Sequence, residues 1–83
     1  MKNHFVSVIR VDATQGPLYG PFDDQEAEKA LIHILENGIG GVEQTQIGAE
    51  ELAFIHSDGY FESDDGGGVF IVQAEENPKV EDE

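Results

Sequence analysis

The chain has no cysteine. Neither a disulfide nor a thiolate metal site can staple it, although small domains often depend on such links. Cations are scarce as well: four Lys and Arg stand against eighteen Asp and Glu, giving a net charge of −14. Direct nucleic-acid binding is therefore not expected, because it rests on neutralising phosphates with Lys and Arg. Long apolar runs are missing too. Val69 to Val72, at four residues, is as long as any, whereas a membrane-spanning helix needs about 20. No basic segment leads into an apolar one in the manner of a signal peptide, so the expected location is the cytoplasm.

What is present fits one small folded unit. Eighty-three residues suffice for a single domain with a small core. A hydrophobic content of 39% is too high for a wholly disordered acidic chain. The charge is unevenly spread. Residues 1–20 hold Lys2, Arg10 and Asp12, a net of +1, which leaves −15 for residues 21–83. Residues 75–83 carry five acids and one Lys around Pro78, and they read as a disordered, solvated acidic tail on a domain of residues 1–74. The acidity is not confined to that tail.

Phe5 to Val11 is rich in β-branched residues and reads as a strand with two apolar faces. Gln15 to Pro21, punctuated by Gly and Pro, reads as a loop. Asp23 or Asp24 then caps a helix. Ala27, Ala30, Leu31, Ile34 and Leu35 recur at intervals of three and four and form one apolar stripe, and Asn37-Gly38 ends the element. Three β-like stretches follow: Val42–Ile47 as a candidate edge strand, Leu52–His56, and Val69–Ala74. Asp58-Gly59 reads as a hairpin turn into Tyr60-Phe61-Glu62, and Ser63 to Gly68 as a flexible turn. Gly48-Ala49-Glu50-Glu51 has the alternative of opening a short helical turn. The expectation is an α+β two-layer domain in the order β-α-β-β-β, with one amphipathic helix on a three- or four-stranded, mostly antiparallel sheet.

Gly20-Pro21-Phe22-Asp23-Asp24-Gln25-Glu26-Ala27 is the most distinctive string. It resembles the Gly-Pro-Phe-x-x-x-x-Ala strand-to-helix hook of SPOR-type peptidoglycan-binding domains. That resemblance implies a binding module, but the chain offers no place for the family's second helix. In physical terms Pro21 fixes φ, Phe22 folds over the stripe and an Asp caps. Other patterns lead nowhere. Gly38-Ile39-Gly40-Gly41 follows a helix, whereas phosphate cradles precede one, and Gly66-Gly67-Gly68 follows Asp64-Asp65, which repel phosphate. Asp58, Glu62, Asp64 and Asp65 fit no EF-hand register and read as a solvated acidic loop. His4, His33 and His56 are too scattered for a zinc site. His56-Ser57-Asp58 are consecutive and lack the geometry of a hydrolytic triad. No cofactor, metal or enzymatic activity is expected.

The functional reading rests on charge and aromatics. Phe22, Phe54 and Phe70 are the expected core aromatics. Tyr60 and Phe61 point to opposite faces of a strand, so one of them is expected to be an exposed anchor among Asp58, Glu62, Asp64 and Asp65. Asp23, Asp24, Glu26 and Glu28 at the helix start form a competing surface. A dense anionic surface destabilises a compact fold by self-repulsion, and its natural target is a basic surface built for nucleic acid. In composition and size the chain resembles phage-encoded anti-restriction and anti-CRISPR proteins and uracil-DNA glycosylase inhibitors. The resemblance implies a DNA-mimicking inhibitor of a nucleic-acid-processing protein. The alternatives are a non-enzymatic accessory domain whose acidity serves solubility or salt tolerance, and a SPOR-like binding module.

Overall fold

The computed structural model describes residues 2–64 and 66–73. Along the chain come strands β1 (His4–Ile9) and β2 (Gln15–Phe22), helices α1 (Asp24–Asn37) and α2 (Ala49–Asp58), and strands β3 (Tyr60–Glu62) and β4 (Gly68–Gln73). A single 3₁₀ turn covers Ile39–Gly41. The strands form one antiparallel sheet in the order β2-β1-β4-β3. The protein is a small α+β domain with both helices feeding one core. The expected order β-α-β-β-β with a single helix is corrected in three places: a second strand precedes α1, Val42–Ile47 is not a strand, and a second helix replaces the Leu52–His56 strand.

The added strand is the Gly- and Pro-rich stretch read as a loop. Pro17 and Pro21 cannot donate to a ladder, but β2 lies at the edge of the sheet, where one side of the backbone needs no partner. Gly20 has φ +141°, and a Cβ there would stand 2.7 Å from Cδ2 of Phe5. Glycine is required because the Phe5 ring lies against this backbone.

The second helix occupies the Leu52–His56 stretch read as a strand. Glu51 Oε1 accepts the Gly48 N–H at 3.0 Å, and Glu50 and Glu51 sit in the first turn, where the helix dipole favours acids. Gly59 closes the helix in the left-handed region at φ 77°, donating its N–H to Ile55 O at 2.8 Å. Asp58-Gly59 is therefore a helix end, not a hairpin turn. The same glycine geometry serves both motifs.

Helix α1 is built as its pattern indicates. Asp23 is the N-cap and accepts the Glu26 N–H at 2.8 Å, while Glu26 Oε1 accepts the Asp23 N–H at 3.0 Å. This is a reciprocal capping box. The C-terminal carbonyls are answered one by one. Gly38 donates to Ile34 O, Thr45 N–H to Leu35 O at 2.7 Å, and the Gln44 side chain to Glu36 O at 2.9 Å. The stretch Val42–Ile47 is therefore a strap over the helix end and not an edge strand. Its backbone donors and side chains serve α1, and Val42 is buried in the core.

The core lies between α1 and the two central strands. Val6, Val8 and Val69 from the sheet meet Ala27, Leu31, Ile34 and Leu35 from α1, with Val42 and Ile55 completing it. Phe22, Phe61 and Ile71 border this core, half-buried. Two of the expected core aromatics are corrected. Phe70 belongs to the other face of the sheet, since Ser7, which alternates with Val6 and Val8, stands opposite it. Phe54, on α2, meets the edges of Tyr60 and Phe61 but is 40% exposed. No helix among the described residues is long and apolar enough to cross a membrane. The acidic tail expected at 75–83 lies outside the described residues.

Leu31 is fully buried at the centre of this contact. Replacing it with Ala should cost about 2–5 kcal/mol, measured as a shift in the urea midpoint. An unchanged midpoint would mean the stripe does not carry the core.

Candidate protein-binding surfaces

The acids fall on the outer layer of the molecule. Asp23, Asp24, Glu26, Glu28 and Glu36 belong to α1 or its cap, and Glu50, Glu51 and Asp58 to α2. The four strands carry a single acid, Glu62. Packing explains the division. The strands supply the apolar residues that bury or tile the sheet, so charge is left to helix surfaces and turns.

Several of these acids have structural work. Asp23 and Glu26 form the capping box, and Glu26 also pairs with Lys2 at 3.2 Å. The Asp23 N–H first, and the Lys2 ammonium second, hold the Glu26 carboxyl below the usual carboxylate range. Glu28 meets Nδ1 of His56 at 3.0 Å and joins the two helices. Asp12 accepts the Thr14 hydroxyl at 2.6 Å and the Thr14 N–H at 3.1 Å in the β1–β2 turn, which holds its carboxyl low as well. Of the cations, Lys2 is engaged by Glu26, and Arg10 donates to Gln15 O at 2.7 Å.

The acidic group around the β3–β4 turn is differently placed. Asp58 is exposed at the end of α2, the negative pole of the helix dipole. Glu62 is exposed at the end of β3, and Asp64 is exposed in the turn that follows. Asp65 lies outside the described residues. The turn is closed by hydrogen bonds from Ser63 N–H to Gly67 O and from Gly66 N–H to Ser63 O, both 3.1 Å. Gly66 and Gly67 hold positive φ there. These glycines serve a defined turn rather than the flexible loop expected from their number. Asp24 is exposed on the first turn of α1, while Asp23 is committed to the cap.

Glu43 joins this group from far along the chain. It accepts the Ser63 hydroxyl at 2.9 Å, and with Glu62 and Asp64 it lines a groove of about 390 Å³ whose floor includes Phe61 and Thr45. No local sequence signal marks it, because Glu43 reaches the turn only through the strap over α1. Among the described residues no group of three or more His, Asp or Glu could hold a metal ion.

Tyr60 and Phe61 do point to opposite faces, and both are half-buried. Phe61 packs against the core. Tyr60 stacks on Phe70 with ring centres 5.5 Å apart, and the edge of Phe54 meets it at 5.4 Å. Tyr60 is thus the aromatic on the face opposite the α1 core, held between Phe70 and Phe54 of α2. Comparison with protein-family models, curated proteins and solved structures gives no match.

Two outcomes are expected from these charges. The folded-state pKa of Glu26 is depressed, so its ionised form adds stability above the unfolded value, and this is lost as pH falls through the folded value. Glu26→Gln should therefore be less stable than wild type at neutral pH, with the gap closing in acid as the Glu26 carboxylate is protonated; a gap that persists in acid would refute the assignment. Asp58 opposes its helix dipole, so Asp58→Asn should stabilise by about 0.3–1 kcal/mol, read from thermal unfolding at low salt.

Proposed function

We propose that this protein is a small, non-enzymatic inhibitor that binds the basic groove of a nucleic-acid-processing protein in place of nucleic acid. The observation that carries the reading is the segregation of carboxylates to the helix layer and the β3–β4 turn, including Asp58, where a negative charge works against the helix that bears it. Solubility alone does not call for charge at a destabilising position. A nucleic-acid groove presents rows of Lys and Arg, and a surface of unpaired carboxylates is complementary to it.

On this reading Glu43, Asp58, Glu62 and Asp64 supply the charges, and Tyr60 sits beside them as an apolar contact. Asp65 is adjacent in sequence, and Asp24 extends the surface along the start of α1. Asp23 takes no part, since its carboxylate is held by the cap. The alternative, an accessory domain whose acidity serves solubility, draws support from the acids with structural partners, namely Asp12, Asp23, Glu26, Glu28, Glu51 and, through Ser63, Glu43.

The test is identification of the protein captured from a host lysate at low salt. A basic, nucleic-acid-binding partner that DNA or RNA displaces supports the mimic. Affinity should fall steeply with salt. Reversing Glu62 and Asp64 to Lys should weaken binding more than reversing Glu81 and Asp82. Binding that survives high salt unchanged, or a tail reversal of equal effect, would sink the proposal.

A further inference from the structure

The sheet has a second face, which α1 does not cover and which α2 meets only at its β3 edge, where Phe54 touches Tyr60. Phe5 and Ile9 of β1, Phe70 and Val72 of β4, Leu18 of β2 and Tyr60 of β3 share it by register: Phe5 stands opposite Val72, Ser7 opposite Phe70 and Leu18, and Tyr60 opposite Phe70. None of them belongs to the buried core or to the side chains packed against it. Leu18 is 59% and Val72 43% exposed. Glu62, at one corner, is the only acidic residue the strands contribute. The molecule is therefore two-sided: an anionic helix layer on one face and a nearly uncharged apolar sheet on the other.

We infer that this sheet face binds a second copy of the chain, sheet against sheet, to form a symmetric dimer. Charge selects the occupant. A like-charged copy is repelled by most of this surface, but the open face carries almost no charge. Packed through it, the two anionic layers turn outward. With sheets about 10 Å apart and a helix layer of about 10 Å on each side, they lie roughly 30 Å apart, several Debye lengths at physiological salt. The repulsion that opposes every other mode of self-association is screened in this one.

The chain's own ends do not fit the face. Residues 74–83 contain five acids, with only Ala74, Val80 and Pro78 as apolar material, so they cannot tile an uncharged sheet. Edge-to-edge growth is also disfavoured, because β2 carries Pro17 and Pro21 and β3 is three residues long. Strands of six, eight, three and six residues give a face of at most roughly 20 by 20 Å. Two such faces bury about 800 Å² as flat area and more as accessible surface, the size of a weak interface. The dimer should form in the micromolar range or above, through aligned sheet packing.

The inference does not depend on the inhibitor reading, and salt separates the two. Sedimentation equilibrium of the full chain, from micromolar to millimolar concentration, should show a monomer–dimer equilibrium that holds or tightens as salt rises. Binding to a basic partner would instead weaken. Leu18→Glu and Val72→Glu should each raise the dissociation constant by at least about ten-fold, because either buries an unpaired charge. Both side chains are largely exposed, so the dilute variants should melt as wild type does. Either variant suffices if the other fails to fold. Leu52→Glu, at an exposed apolar position on α2, should leave the dimer unchanged. A wild type that stays monomeric to millimolar concentration overturns the inference. So does a dimer indifferent to both sheet substitutions, or one broken equally by Leu52→Glu. Capture of the monomer on phosphatidylcholine vesicles, or by a basic protein in a manner abolished by Leu18→Glu, would assign the face to that partner instead.

Discussion

The contact between the apolar stripe of α1 and the central strands β1 and β4 is what the rest of the molecule depends on. Leu31, Ile34 and Leu35 meet Val6, Val8 and Val69, and nearly all the fully buried volume is there. A chain this short buries only a modest share of its surface, so it cannot build a second layer of the same quality. Other features answer to this one contact. The capping box fixes where α1 begins, and the strap of Val42 to Ile47 fixes where it ends and supplies Val42 to the same core. Helix α2 adds Ile55 and leaves its other apolar residues, Leu52 and Phe54, partly in solvent.

The parts legible in the sequence are those whose signals are local. Asp23 and Glu26 spell a capping box, the stripe has helical spacing, and Gly38 ends the helix in the left-handed region. Strands β1, β3 and β4 are recognisable from β-branched and aromatic runs. The parts that were not legible are decided by neighbours. Gln15 to Phe22 is a strand because β1 offers it an edge, and no local propensity says so. Leu52 to His56 is too short for its periodicity to separate helix from strand. Asp58-Gly59 carries a signal that a helix cap and a hairpin share. Of the acidic surface, Asp58, Glu62 and Asp64 were visible as a cluster because they are close in sequence. Glu43 was invisible because its place beside Ser63 is made by the strap.

Carboxylates in this protein have two kinds of environment. Asp12, Asp23, Glu26 and Glu28 each have a hydrogen-bonding or cationic partner, and they tie turns and helices together. Such charges offset part of the cost of their own repulsion. Asp58, Glu62 and Asp64 stand exposed around the β3–β4 turn, and Asp58 opposes a helix dipole. Net charge of this size raises the energy of the compact state, so the exposed group is where a gain outside the folded monomer has to be sought. A basic partner would provide that gain.

The same economy accounts for the two sides of the molecule. Strand residues alternate between faces, so every strand that contributes a valine to the core also presents a residue to the far side. On β1 and β4 those residues are Phe5, Ser7, Ile9, Phe70 and Val72, of which Ser7 alone is polar, and none is the Lys or Glu that would suit water. Polar residues there would not disturb the helix-side core, because the two faces do not share side chains. The apolar choice is therefore independent of folding the helix layer, and it leaves a surface whose stability improves when water is removed from it. With most of the carboxylates on the helices and Glu62 at one corner of the sheet, covering the sheet brings few like charges together. The arrangement that keeps the monomer folded in spite of its charge is also the one that lets its uncharged face be buried.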